Sequence, residues 1–212
     1  MQQPILDVFQ AGLNRGVERM AYDPTKAYFY VEHPTEGWRV YLRAVCFIHE
    51  EGAVFDAKRF LVVKRTGAEP LSKSWDPPKG QMEGKDSLKH PRTSIEKLLK
   101  ENVRREVFEE AHVSILHNLT HTGLILQNRE KSYPPNTYFQ YHVFHAQTPT
   151  PSIQKALAWF AWLKEHPKFF ARMSRDKKER DDLRWFHPTE TKMIGRWAPS
   201  LVAMYIQAFD RE

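Results

Sequence analysis

Three glutamates, Glu106, Glu109 and Glu110, follow an arginine in the segment Arg105-Glu106-Val107-Phe108-Glu109-Glu110. On a helix, positions i, i+3 and i+4 share one face, so the three carboxylates converge on one patch and repel. A solvated face tolerates such repulsion at roughly a few tenths of a kcal/mol per pair, and so does a site where divalent cations neutralise it. The second reading gains weight from an upstream stretch, Trp75-Asp76-Pro77-Pro78-Lys79-Gly80-Gln81-Met82-Glu83-Gly84-Lys85-Asp86. A glycine-containing loop that feeds a glutamate-rich helix can bring a backbone carbonyl and several carboxylate oxygens around hard cations.

Such residues need a helix and a sheet to hold them. Thr93-Ser94 followed by IEKLLKENVRREVFEEAHV reads as a capped helix, with Ile95, Leu98, Leu99, Val103 and Val107 at helical spacing and the carboxylates on the other side. Val-, Phe-, Leu- and Tyr-rich runs predict two strands, Trp38 to Ile48 and Arg59 to Lys64, joined by a long turn. Leu119 to Leu126 and Thr137 to His145 predict a hairpin around Pro134-Pro135. Ser152 to Phe170 reads as a helical insertion broken at Pro167, Leu183 to Phe186 as a short strand, and Pro199 to Phe209 as a final helix. Ile5, Phe9, Leu13 and Val17 after Pro4 predict an amphipathic N-terminal helix. The expectation is one α/β domain over residues 1–212, with a helical extension at about 1–25 and the insertion at about 150–178.

The two acidic and glycine-bearing segments together resemble the Nudix family, whose signature is Gly-x5-Glu-x7-Arg-Glu-U-x-Glu-Glu-x-Gly-U, with U aliphatic. Gly80, Arg105, Glu106, Val107, Glu109, Glu110 and Val113 match it. Asp86 stands where the signature has its first glutamate, and His112 replaces the glycine that ends the helix. Arg105 follows Gly80 by 25 positions, about 11 more than the signature allows, and Pro91 puts the extra residues in the loop before Ser94. The resemblance spans Trp38 to Trp185 and implies an α/β/α sandwich around a mixed sheet. It further implies that Glu106, Glu109, Glu110 and the Gly80 carbonyl bind Mg2+, or alternatively Mn2+. Arg105 would orient the carboxylates, and Lys79 would contact a phosphate. The implied reaction is attack of an activated water on a phosphoanhydride.

The Trp-x-Pro-Pro-Lys-Gly stretch is similar to that of asymmetric diadenosine tetraphosphate hydrolases within the family. So is Glu179 placed six residues before Trp185, itself preceded by Arg184. The resemblance implies a pyrophosphatase acting on a dinucleoside polyphosphate or other nucleotide, with Glu179 as a further metal ligand or the base that activates water. Asp181 and Asp182 are its substitutes if the register slips. Tyr133 and Tyr138 are candidates to stack a base, as are Trp159, Phe160 and Trp162, against plain packing in each case. The alternatives are a diphosphoinositol polyphosphate or RNA 5′-end pyrophosphohydrolase, and a catalytically silent fold that binds a nucleotide or partner.

With 41% hydrophobic and 27% charged residues in 212, the chain can bury a core and offset chain entropy. A net charge of +6 suits polyanionic ligands, yet the cations are scattered, which disfavours a dedicated nucleic-acid arm. No stretch of about 18 apolar residues occurs, so no membrane span is expected and a cytoplasmic location is the default. Cys46 is the one cysteine, which excludes an internal disulfide and reads as a buried thiol in AVCFI. Oligomeric state is left open.

Overall fold

The computed structural model describes residues 4–20, 23–69, 72–87, 92–129, 133–174 and 176–210. Its strands are β1 (Asn14–Met20), β2 (Asp23–Glu32), β3 (Arg39–Glu50), β4 (Leu61–Arg65), β5 (Trp75–Asp76), β6 (Lys79–Gln81), β7 (His117–Arg129), β8 (Thr137–Thr148) and β9 (Arg180–Trp185). Its helices are α1 (Gly84–Ser87), α2 (Ile95–Ala111), α3 (Thr150–Glu165), α4 (Pro167–Arg172) and α5 (Trp197–Phe209). A six-stranded sheet runs β1-β2-β3-β8-β7 with β6 added to β3, and a three-stranded sheet runs β5-β4-β9. The architecture is α/β, as the sequence predicts. The chain divides into two compact units, and β3, β6, β7, β8 and α2 contribute residues to both.

The first unit comprises Met1–Ala44, Gly80–Val103 and Ile125–His142. Its strand β1 pairs with β2 in antiparallel register from Asn14↔Glu32 to Met20↔Asp23, and β2 continues onto β3 at Tyr30↔Tyr41. Phe29, Val31, Val40, Leu42 and Phe139 are buried here with Leu98 and Leu99 of α2. The expected N-terminal helix is absent: residues 8–12 turn, and β1 follows. Gly12 takes φ 85°, a left-handed conformation that a helix interior excludes. Ile5 and Phe9 stay 50% and 43% exposed, so the apolar stripe finds no core to drive a helix. Glutamine side chains satisfy this backbone instead. Leu6 N–H donates to Gln127 Oε1 at 3.0 Å, Gln127 Nε2 donates to the Pro4 carbonyl at 3.1 Å, and Gln140 Nε2 donates to the Leu6 carbonyl at 2.8 Å.

The second unit comprises Val45–Lys79, Arg104–Leu124 and Val143–Glu212. The long turn after β3 does not close a hairpin, because β4 takes β5 and β9 as its antiparallel neighbours, at Val63↔Asp76 and Val63↔Leu183. Aromatic contacts build the core: Phe47 stacks on Tyr205 at 3.8 Å, and Phe60 on Phe186 at 4.8 Å. Helix α5 is held through Leu201, Val202 and Tyr205, and α3 through Ile153, Ala156, Phe160 and Leu163. The predicted break before Pro167 falls at His166, which carries φ −121° and ψ 57° between α3 and α4. Cys46 is fully buried, and burial pushes its thiol pKa well up, so the cysteine is an inert core residue.

Candidate active site

The last turns of α2, the strands β4, β5 and β9 and the loop ending at Lys79 all lie in the second unit, and the charged side chains they carry meet one another. Arg105 holds two of the three glutamates: Nη2 lies 2.8 Å from Glu106 and Nη1 lies 2.9 Å from Glu109. Glu106 keeps 13% of its side chain exposed and Glu109 35%. Glu110 points elsewhere and is buried at 5% exposure. It accepts the Lys79 backbone N–H at 2.9 Å and pairs through Oε1 with Arg180, whose Nε lies 2.9 Å away. A buried carboxylate demands partners of this kind, because an unpaired charge in the interior is costly.

The Lys79 loop is fixed at both ends. The Cys46 N–H donates to the Pro78 carbonyl at 2.9 Å, and Lys79 Nζ pairs with Asp76 Oδ2 at 2.8 Å. Asp76 also lies 3.5 Å from Arg180 Nη2, while its Oδ1 is buried and accepts no hydrogen bond from the described residues. Burial raises the Asp76 pKa, against the opposing pull of Lys79 and Arg180. Arg180 loses solvation too, yet Glu110 and Asp76 more than compensate and hold its pKa above the usual value. Arg65, Asp76, Lys79, Lys178, Glu179 and Arg180 line a cavity of about 550 Å³. Four cations and two carboxylates face it, and Arg180 links it to Glu110.

Glu179 is exposed on this cavity, and its carbonyl accepts the Thr66 N–H at 3.0 Å. Its two sequence substitutes are tied up structurally. Asp181 accepts the Gly67 N–H at 3.0 Å and pairs with Lys64 at 3.1 Å. Asp182 is buried and bound by Lys164 at 2.7 Å and Arg184 at 3.2 Å. Among the described residues no three His, Cys, Asp or Glu side chains are gathered as a metal cage. Asp86 falls in α1.

Gly80, Tyr133 and Tyr138 belong to the first unit. Tyr138 is only 4% exposed, so its ring is core, and Tyr133 packs edge-on against Phe139 at 5.1 Å. Phe160 is likewise buried, whereas Trp159 and Trp162 are half-buried. His112 ends α2 with φ 54°, the left-handed conformation its position in the signature calls for. The residues that sequence reasoning passed over are Arg180 and Asp76. Arg180 sits in the charge-rich run SRDKKERDD, where nothing marks one arginine as buried, and Asp76 hides inside a motif read for its Lys and Gly.

A family model described as NUDIX domain matches residues 44–205. No curated protein matches the chain. Among solved structures it is similar to a Nudix hydrolase from Nitrosomonas europaea, at 15% identity and TM-score 0.44, covering 79% of this chain and 89% of that one. It is similar to the C. elegans Ap4A hydrolase at 14% identity and TM-score 0.40, covering 81% and 99%. A mutT/nudix family protein from Listeria innocua aligns at 17% identity and TM-score 0.40, covering 80% and 92%. No helix among the described residues is long and apolar enough to cross a membrane. With the domain match covering most of its length, and an Arg-Glu-x-x-Glu-Glu helix beside a cationic cavity, this chain belongs to the Nudix family.

Proposed function

We propose that the chain is a divalent-cation-dependent hydrolase of phosphoanhydride bonds, with a dinucleoside polyphosphate or similar nucleotide as substrate. The observation that carries the reading is the pairing of the α2 glutamates with a cavity of four cations, joined by the Arg180–Glu110 contact. The donor set suits a hard cation, being wholly oxygen, and the Glu106 and Glu109 side chains stay partly exposed while Arg105 offsets their repulsion. Glu106, Glu109 and Glu110 would hold Mg2+ or Mn2+, which supplies charge neutralisation at the phosphates and lowers the pKa of water. Glu110 would do so at the expense of part of its Arg180 contact. Lys79, Lys178 and Arg65 bind the phosphate oxygens, and Glu179 accepts the proton of the attacking water. The water oxygen bonds to phosphorus, the anhydride P–O bond breaks, and the leaving phosphate keeps the electron pair beside Lys79 and Lys178. The loop Trp75-Asp76-Pro77-Pro78-Lys79-Gly80 favours the dinucleoside polyphosphate class.

Phosphate release from a nucleotide series with and without magnesium tests the reading, with Glu179→Gln compared against Asp181→Asn at a temperature where both are folded. Glu179→Gln should lose at least about a hundredfold in turnover, as expected on removing a general base. No release from any nucleotide in magnesium or manganese overturns the hydrolase reading. Equal and small losses from both variants return Glu179 to the surface.

A further inference from the structure

A second cavity in the second unit, of about 960 Å³, opens beside Glu109 and is walled by α3, α4 and the end of α2. Its lining is aromatic. Trp159 and Trp162 stand one helical turn apart on α3 with their rings near parallel, 5.5 Å between centroids and 20° between planes. Phe169 of α4 meets Trp162 edge-on at 4.9 Å, and Phe108 of α2 lies at the same cavity. Phe108 and Phe169 remain 53% and 46% exposed, large apolar rings left at one surface. Apolar lining is not all the cavity has: Lys155, Arg172 and Lys177 line it too, and the one carboxylate among its lining residues is Glu109. An apolar partner would have no use for three cations, whereas a flat ring carrying phosphates uses both features.

We propose that this groove is the nucleobase subsite of the hydrolase: the base of the nucleotide is received among Trp159, Trp162, Phe108 and Phe169, and Lys155, Arg172 and Lys177 lead its phosphates toward Glu109. The inference rests on the hydrolase reading for its substrate, and among the aromatic candidates it assigns base recognition to Trp159 and Trp162 of α3 rather than to Tyr133 and Tyr138. The volume lies within the range of sites that enclose a nucleotide-sized ligand. His112 lies 5.0 Å from Trp159 at the C-terminal end of α2, so the same turn that presents Glu109 also positions the aromatic surface.

The test is calorimetric titration of AMP and of ribose 5-phosphate, which has the phosphate and no base, into wild type, Trp162→Ala and Trp162→Phe without added metal. AMP should bind wild type about tenfold or more tightly than ribose 5-phosphate, which is the range of base stacking on an aromatic ring. Trp162→Ala should erase that preference and Trp162→Phe should keep most of it. Should Trp162→Ala not fold, Phe169→Ala removes a largely exposed ring and carries the same expectation. Equal affinities for the two ligands in wild type, or an AMP affinity unchanged in both alanine variants, overturn the subsite. A protein that prefers AMP through Trp162 yet hydrolyses no nucleotide supports the subsite and overturns only the hydrolase reading. A working hydrolase with an unchanged AMP affinity in Trp162→Ala does the reverse.

Discussion

Adjacent glutamates on α2 occupy opposite environments, and their amide variants separate the two. Glu109 has a side chain 35% exposed with Arg105 as its partner, so Glu109→Gln forfeits a partly solvated ion pair and costs less than about 1 kcal/mol. Glu110 is 5% exposed and is the principal counter-charge of the largely buried Arg180, so Glu110→Gln leaves that cation with only the weaker pull of Asp76 and Glu179 and costs about 3 kcal/mol. On the proposed function both variants should lose turnover by about a hundredfold or more, since each would remove charge that a bound divalent cation needs. Urea unfolding of the two variants beside their turnover checks this. Matching urea midpoints would show that Arg180 finds another partner, and near-normal turnover in either would remove that residue from the metal set.

At the scale of elements, the end of α2 depends on a backbone conformation that most residues resist. His112 sits at φ 54° and its N–H donates to the Phe108 carbonyl at 3.1 Å. Glycine relieves a penalty of about 1 kcal/mol there, but His112→Gly also removes a ring 5.0 Å from Trp159 and 5.6 Å from Phe160, worth a similar amount. The expected outcome is a melting temperature within a few degrees of wild type. His112→Val keeps a bulky side chain while its β-branching clashes at positive φ, so it should destabilise by about 2 kcal/mol. Thermal unfolding of the pair checks the point: a valine variant as stable as the glycine one would mean that α2 can end another way. The helix itself was legible, from its Ser94 start and the Ile95, Leu98, Leu99, Val103, Val107 stripe. The N-terminal segment was not, because Gly12 and the side chains of Gln127 and Gln140 outweigh a stripe whose Ile5 and Phe9 stay largely exposed.

The stability of the whole molecule should depend on pH through His49. Its imidazole is 6% exposed, in contact with the Arg59 carbonyl at 3.0 Å and the Tyr205 hydroxyl at 2.7 Å, and desolvation lowers its pKa to about 4. Unfolded, it titrates near 6.5. Between these values the unfolded chain binds more protons, so stability rises with pH across that window and is lost as pH falls from about 6.5 toward 4. The full shift corresponds to about 3 kcal/mol at 1.36 kcal/mol per pKa unit. His112 and His145 are shifted in the same direction by burial and add to the trend. Urea midpoints of wild type and His49→Gln from pH 4 to pH 7 test this. The variant should show a shallower acid limb, and parallel limbs would assign the acid sensitivity to other groups.

What the amino-acid order determined by itself was local chemistry. Residue type and spacing were enough for Arg105 and three glutamates on one helix, for the helix break at Pro167, and for the α/β class, whereas Lys79 and Gly80, expected in a loop, lie in β6. These follow from interactions within a few turns or along one strand, which the sequence carries directly. Tertiary structure alone decided that β4 pairs with β5 and β9 rather than with β3, since a long turn leaves the partner open. It also decided that Arg180 of the SRDKKERDD run reaches Glu110, 70 positions away in sequence. In SRDKKERDD every side chain is polar, so periodicity cannot say which one turns inward; pairing with a particular buried carboxylate, strong enough to offset desolvation, does. The aromatic groove was undecided for the same reason: Phe160 and Trp162 lie two residues apart on one helix, and only the packing of α3 buries the first and leaves the second at the cavity.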